Sequence, residues 1–213
     1  MIIFLKLQVL FLSFLIRNIG ADYYSGLAKF YTFNKIWNNI KLDSIEGDYI
    51  EFGMLNGKTL LHSYKVSKKL NLHKNIKFWG LDSFQGFPVE NHDFYKNEHF
   101  KSSYKKVLKT FNKYSEINIV KGFFSESLQT PLLDNLRKLS FVYVDCDIYE
   151  SSLDIFPFIK DRTFPGSFIM IDDYSSIDHN GKSIAKAFLE NFKINEEVII
   201  FDYFDNGVVF RMI

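Results

Sequence analysis

The chain has 213 residues, 47% of them hydrophobic and 24% charged, which excludes bulk disorder and fits one globular domain. Basic and acidic side chains number 26 and 25, and a net charge of +1 leaves no electrostatic footprint for nucleic acid. The single cysteine, Cys146, excludes an internal disulfide and any multi-cysteine metal centre, and fits a reducing, cytoplasmic setting.

The first predicted element is apolar. Residues 1–16 read MIIFLKLQVLFLSFLI. They fall short of the ~20 residues of a spanning helix, Lys6 and Gln8 interrupt them, and no small-residue cleavage site follows. The expectation is a cytoplasmic protein whose N-terminal helix packs on the domain or on a second copy in a homodimer. Membrane association through residues 1–16 is the less favoured alternative. A helical segment over 22–42 follows, and from Gly47 the pattern changes. Strands are predicted at 47–54, 77–84, 117–124, 141–147 and 167–174, with helices at 56–70, 99–113, 149–160 and 181–193. The polar stretch 85–98, with Gly86 and Pro88, reads as a long loop. The basic helix 99–113 reads as a solvated face. The last 18 residues, EEVIIFDYFDNGVVFRMI, form two strands about an Asp-Asn-Gly turn, a hairpin signal.

Alternation of strand and helix predicts βαβ units, a parallel sheet with helices on both faces, and an antiparallel edge from the hairpin. In such α/β sheets ligands sit beyond the carboxyl ends of the strands, so the residues there carry the chemistry. The first strand ends in Glu51-Phe52-Gly53-Met54, and Asn56-Gly57-Lys58-Thr59 opens the next helix. The glycines permit a sharp turn and the helix start offers N–H groups to an anion. A dinucleotide fingerprint needs three glycines and fails here, and a phosphate loop is one residue short. The second strand ends in Asp82-Ser83, where an acid can accept both hydroxyls of a ribose. The third ends in Gly122-Phe123, suited to lie against a flat base or to pack in the core. The fourth and fifth end in Asp145-Cys146-Asp147 and Asp172-Asp173. Carboxylates converging at neighbouring strand ends repel unless a cation neutralises them, and oxygen-only donors favour Mg²⁺ or Mn²⁺. Helix capping by Asp147 or Asp173 is the bland alternative. Cys146 reads as a buried small hydrophobe.

The segments EFGMLNGKT, FWGLDSFQGFP, VDCDIYESS, PGSFIMIDDY and GKSIAKAF together resemble the macrocin O-methyltransferase family, class I enzymes dependent on S-adenosylmethionine. The resemblance covers about residues 45–213 and implies a Rossmann-like sheet of order 3-2-1-4-5-7-6 with strand 7 antiparallel. It divides the chain into an N-terminal helical segment (1–44) and a methyltransferase domain (45–213). It implies that Glu51, Phe52, Gly53, Met54, Asn56 and Thr59 form the loop around the methionine part of the cofactor. It implies further that Asp82 and Ser83 meet the ribose and Gly122 and Phe123 the adenine, with Asp145 also beside the cofactor. Asp145, Asp172 and Asp173 correspond to metal ligands for Mg²⁺.

The implied reaction is Mg²⁺-dependent methyl transfer to a sugar hydroxyl of a glycan or a glycosylated small molecule. Asp145 and Asp173 act at the reacting centre, and the proton leaves to Asp173, His179 or water. The 85–98 loop, with His92 and Asp93, is a candidate lid. Rival readings are a catechol-like acceptor, a cofactor-binding subunit without catalysis, and a phosphotransferase.

Overall fold

The computed structural model describes residues 21–89, 97–136 and 138–213. The apolar run 1–16, and His92 and Asp93 of the expected lid, lie outside the described residues. Helix α1 (Ala21–Leu42) leads into β1 (Asp48–Phe52), α2 (Lys58–Lys69) and β2 (Phe78–Asp82). Then come α3 (Tyr104–Phe111), β3 (Ile117–Lys121), α4 (Phe124–Ser127), β4 (Leu139–Val144) and the short helices α5 (Tyr149–Ser152) and α6 (Ile155–Lys160). The chain closes with β5 (Phe168–Ile171), α7 (Ile184–Leu189), β6 (Val198–Phe204) and β7 (Gly207–Met212). Among the described residues no helix is long and apolar enough to cross a membrane.

One seven-stranded sheet has the order β3-β2-β1-β4-β5-β7-β6. Strands β1 to β5 run parallel, and β7 is antiparallel to both β5 and β6. The expected order and the expected antiparallel strand are therefore present. Every position of β4 and β5 is buried, because helices cover both faces and leave neither side of those strands for water. Alternation divides the core into two layers. Phe141, Tyr143, Phe168 and Met170 face α1, α2 and α3, while Val142, Val144, Ile169 and Ile171 face α6 and α7.

Helix α1 belongs to the same core as the sheet. Phe33, Ile36, Trp37 and Ile40 recur at the spacing of one helical face, and all are fully buried. The Trp37 indole donates to the Ser63 hydroxyl of α2 at 3.2 Å, and Lys35 pairs with Asp202 of β6 at 2.9 Å.

Several helices are shorter than the sequence suggests, each for a local reason. The helix expected over 149–160 breaks between α5 and α6, because Pro157 has no N–H for the Leu153 carbonyl and its ring would clash there. Of the helix expected over 99–113, only Tyr104–Phe111 is α-helical. Ser103 caps it by accepting from the Lys106 N–H at 3.4 Å, and the Ser102 hydroxyl donates to the Leu55 carbonyl at 2.7 Å. Likewise α7 starts only at Ile184, where Ser183 accepts from the Lys186 N–H at 3.0 Å. The strands stop earlier than expected, because their last residues leave the ladder to line the site.

Candidate active site

Backbone hydrogen bonds just past the strand ends fix where each functional residue departs from the sheet. The Gly53 N–H donates to Leu81 O at 2.9 Å and the Gly122 N–H to Asp82 O at 3.0 Å. The Asp145 N–H donates to Phe52 O at 2.9 Å and the Asp172 N–H to Val144 O at 2.8 Å. Over these ends lies a cavity of about 360 Å³. Gly53, Asp82, Ser83, Gly122, Phe123 and Asp145 line it. Leu55, Phe87, Phe100, Phe124 and Asp147 also line it. The apolar rings suit a flat base, and the acids suit hydroxyls and cations.

At one end of the cavity the backbone comes very close to itself. Gly53 has φ +86°, and a Cβ there would stand 1.7 Å from Asp145 O, so β1 and β4 meet only because this residue has no side chain. Asp82 accepts from the Leu55 N–H at 2.8 Å and the Phe84 N–H at 2.6 Å, one on each carboxylate oxygen. Each oxygen keeps a lone pair for a hydroxyl of a ligand. Burial pushes the Asp82 pKa up, and the two N–H donors oppose this. The Ser83 hydroxyl shapes the turn that follows, donating to Gly86 O at 2.7 Å and accepting from the Gln85 N–H at 3.0 Å.

Other residues expected around the cofactor support this loop from behind. Glu51 is fully buried. It accepts from the Tyr49 hydroxyl at 2.7 Å and from the Thr59 hydroxyl, and burial pushes its carboxyl up to about 8. Phe52 packs into the core against Phe124, with ring centroids 5.5 Å apart. Met54 is buried in the α1-side layer, and Asn56 is exposed. Glu51, Phe52, Met54, Asn56 and Thr59 are not among the residues that line the cavity.

The acids gather at the ends of β4 and β5. Asp145, Asp147 and Asp173 each offer an oxygen, and these atoms lie within 4.8 Å of one another. Positive φ values at Asp147 (60°) and Asp173 (49°) turn the chain back sharply enough to bring the carboxylates together. Burial, then Asp172, pushes Asp145 up to about 6. Burial, then Asp145 and Asp173, pushes Asp147 up to about 9. Burial and Asp172 also raise Asp173. Three crowded carboxylates with oxygen-only donors fit a hard divalent cation such as Mg²⁺ or Mn²⁺, whose charge would relieve this repulsion.

Asp172 stands beside this cluster, close enough for its charge to raise both Asp145 and Asp173. Strand alternation puts it on the same face as Met170, toward α1. There its carboxylate forms an ion pair with Lys29 and accepts from the Tyr143 hydroxyl at 2.9 Å. Asp147 lies in the cluster with Asp145 and Asp173. Asp145 joins both groups, accepting from Tyr143 at 2.7 Å and lying 3.5 Å from Lys29 Nζ. His179 is exposed and is not among the residues lining the cavity. Cys146 is buried in the core, and burial raises its thiol pKa well above the ordinary range, as suits a packing residue. Sequence reasoning missed Lys29 and Tyr143. Tyr143 carried a signal, since it stands two residues before Asp145 on the same strand face. Lys29 carried none, because only the folded chain brings α1 to the ends of β4 and β5.

The Macrocin-O-methyltransferase (TylF) family matches residues 21–212. The chain is 25% identical to Mycinamicin III 3''-O-methyltransferase of Micromonospora griseorubida over 148 residues, 62% of this chain and 57% of that enzyme. It thus spans less than two thirds of that relative. It is 23% identical to Demethyldecarbamoylnovobiocin O-methyltransferase of Streptomyces niveus over 207 residues, 88% of this chain and 77% of that enzyme. Among solved structures, the O-methyltransferase NovP superposes with a TM-score of 0.71 at 19% identity, covering 87% of this chain and 79% of that one. The calicheamicin methyltransferase CalS11 gives 0.68 at 17% identity with the same shares, 87% and 79%. These likenesses carry the fold, and the family match extends through nearly the whole chain, with the α1 segment, all seven strands and the acids included: the chain belongs to the macrocin O-methyltransferase family.

Proposed function

We propose that the protein is an S-adenosylmethionine-dependent, Mg²⁺-assisted O-methyltransferase that acts on a sugar hydroxyl of a glycosylated small molecule or glycan. The observation that carries this reading is a cavity in which Gly53, Asp82, Gly122 and Asp145 meet Asp147, beside Asp173. Family membership supports it, as do relatives whose names specify 3''-O-methylation of mycinamicin III and 4'-O-methylation of a rhamnosyl-tetracenomycin C.

Asp82 holds the ribose hydroxyls with its two free lone pairs, and Gly122 and Phe123 flank the base. Glu51 stiffens the turn at Gly53, where the amino-acid end of the donor lies. That orientation aims the methyl group toward the acids, where an acceptor oxygen must lie in line, ~3 Å from the methyl carbon. A divalent cation held by Asp145 and Asp173, with Asp172 or Asp147 as the third donor, would acidify a sugar hydroxyl and orient two neighbouring ones. As the oxygen–carbon bond forms, the carbon–sulfur bond breaks and the hydroxyl proton passes to a carboxylate oxygen of Asp147 or Asp173. The exposed His179 lies off this route.

The test is mass spectrometry of the purified protein for a retained nucleoside, then methyl transfer from labelled donor to glycosylated acceptors. Asp145→Asn should lower transfer at least ~100-fold while donor affinity changes less than about threefold, because the acid serves the reacting centre rather than the base and ribose. Full activity of Asp145→Asn, or full activity after thorough chelation, would contradict the metal role.

A further inference from the structure

Charge is unevenly distributed over the chain. Residues 56–121 carry 13 lysines, no arginine and five acids, whereas the whole chain nets only +1. Helices α2 and α3 lie in one core layer with α1, and each turns its charged face away from that core. On α2, Leu60, Tyr64 and Ser67 are buried, while Lys58, Lys65 and Lys69 are exposed on the opposite side. On α3, Val107 and Phe111 are buried, while Lys105 and Lys109 are exposed opposite them. None of these five lysines pairs with a carboxylate among the described residues, whereas Lys29, Lys35, Lys160 and Lys182 all do. Helix α1 completes the same side of the domain with apolar groups. Its Leu27 and Tyr31, one turn apart, are 58% and 70% exposed and stand opposite the buried Phe33, Ile36 and Ile40. The segment that precedes this helix in sequence, residues 1–16, is itself apolar.

We propose that the side of the domain formed by α1, α2 and α3 is a docking surface for a bilayer rich in anionic phospholipid. The lysines meet the headgroup phosphates, and Leu27 and Tyr31 enter the boundary with the acyl chains. Lysine ammoniums are compact point charges on flexible stems, suited to a diffuse layer of phosphates that has no fixed geometry to match. Base-reading contacts to nucleic acid favour the forked guanidinium group, and these three helices contain no arginine. A phosphate backbone also gives Leu27 nothing to bury against, whereas the acyl-chain boundary does. Stable attachment to a membrane surface takes two signals, and a basic patch beside apolar groups supplies both. The surface is the outer side of three helices, away from the strand ends, so nothing in it depends on what the cavity binds.

Vesicle co-sedimentation of the full chain tests this, comparing phosphatidylcholine vesicles with vesicles that also contain phosphatidylglycerol. Wild type should bind the anionic vesicles at least ~10-fold more tightly, and the preference should shrink as NaCl is raised. Reversing four charges together (Lys65→Glu, Lys69→Glu, Lys105→Glu and Lys109→Glu) should weaken that binding at least ~10-fold. Changing the same four to Gln, a milder set that serves if the reversed one does not fold, should weaken it at least about threefold. Leu27→Ser with Tyr31→Ser should weaken it at least about threefold while leaving the preference for anionic vesicles in place. Equal binding of wild type to both kinds of vesicle, binding to neither, or undiminished binding by the lysine variants would overturn the proposal. Undiminished binding by the Leu27 and Tyr31 variant would overturn it as well, as would tighter binding of wild type to duplex DNA or RNA than to anionic vesicles.

Discussion

Glu51 joins the stability of the protein to its proposed chemistry. It is a fully buried carboxyl held by the Tyr49 and Thr59 hydroxyls, and burial raises it from 4.5 to about 8. A carboxyl raised on folding takes up its proton more readily in the folded state. Its contribution to stability is therefore complete below pH ~4.5 and is lost as pH rises through about 8. The ligand-free protein should lose melting temperature across that window, and Glu51→Gln should flatten the curve. Thermal unfolding from pH 5 to 9 checks this, and an unchanged slope in the variant would contradict it. Asp82 and Asp145 were legible as strand-end acids in the sequence, because an acid ending a buried strand stands out against it. The ion pair of Asp172 was not legible. Its partner lies on a helix with no sequence-local relation to β5, and two adjacent aspartates give no hint which one turns to which face.

At the scale of elements, the sheet was legible and the helix boundaries were less so. Continuous apolar runs such as FVYV and FIMI can be buried on both faces only inside a parallel sheet, so β4 and β5 announced themselves. Helix limits depend on caps and on Pro157, whose effects reach only a residue or two and are easily lost within a longer polar pattern. The role of α1 is the larger finding at this scale. Its buried face joins the core beneath β1 and β4, so the helix is part of the domain's folding unit as well as the carrier of Lys29. Trp37→Ala should destabilise the protein by about 3–5 kcal/mol, a core truncation with the lost hydrogen bond to Ser63 added. For a chain of this size that is a fall in melting temperature of roughly 6–20 °C. Chemical and thermal denaturation read it directly. A fall below 2 °C would show that α1 docks independently of the core.

The whole molecule is organised around the edge where five parallel strands end together. Nothing in the composition pointed there, since a net charge of +1 conceals the local concentration of acids at the ends of β4 and β5. The pattern of strand ends did point there, because a parallel sheet brings residues far apart in sequence to one edge. What the sequence could not convey was the depth of the site: the rings of Phe87, Phe100 and Phe124 line the cavity from loops and a short helix that no periodicity foretold. The central claim is that this cavity takes a nucleoside methyl donor whose ribose rests on Asp82. Isothermal titration with S-adenosylmethionine, wild type against Asp82→Ala, tests it most directly. The account predicts one binding site per chain and at least ~10-fold weaker binding in the variant, from the loss of charge-assisted hydrogen bonds. No binding by the folded wild-type protein, or undiminished binding by Asp82→Ala, would contradict it.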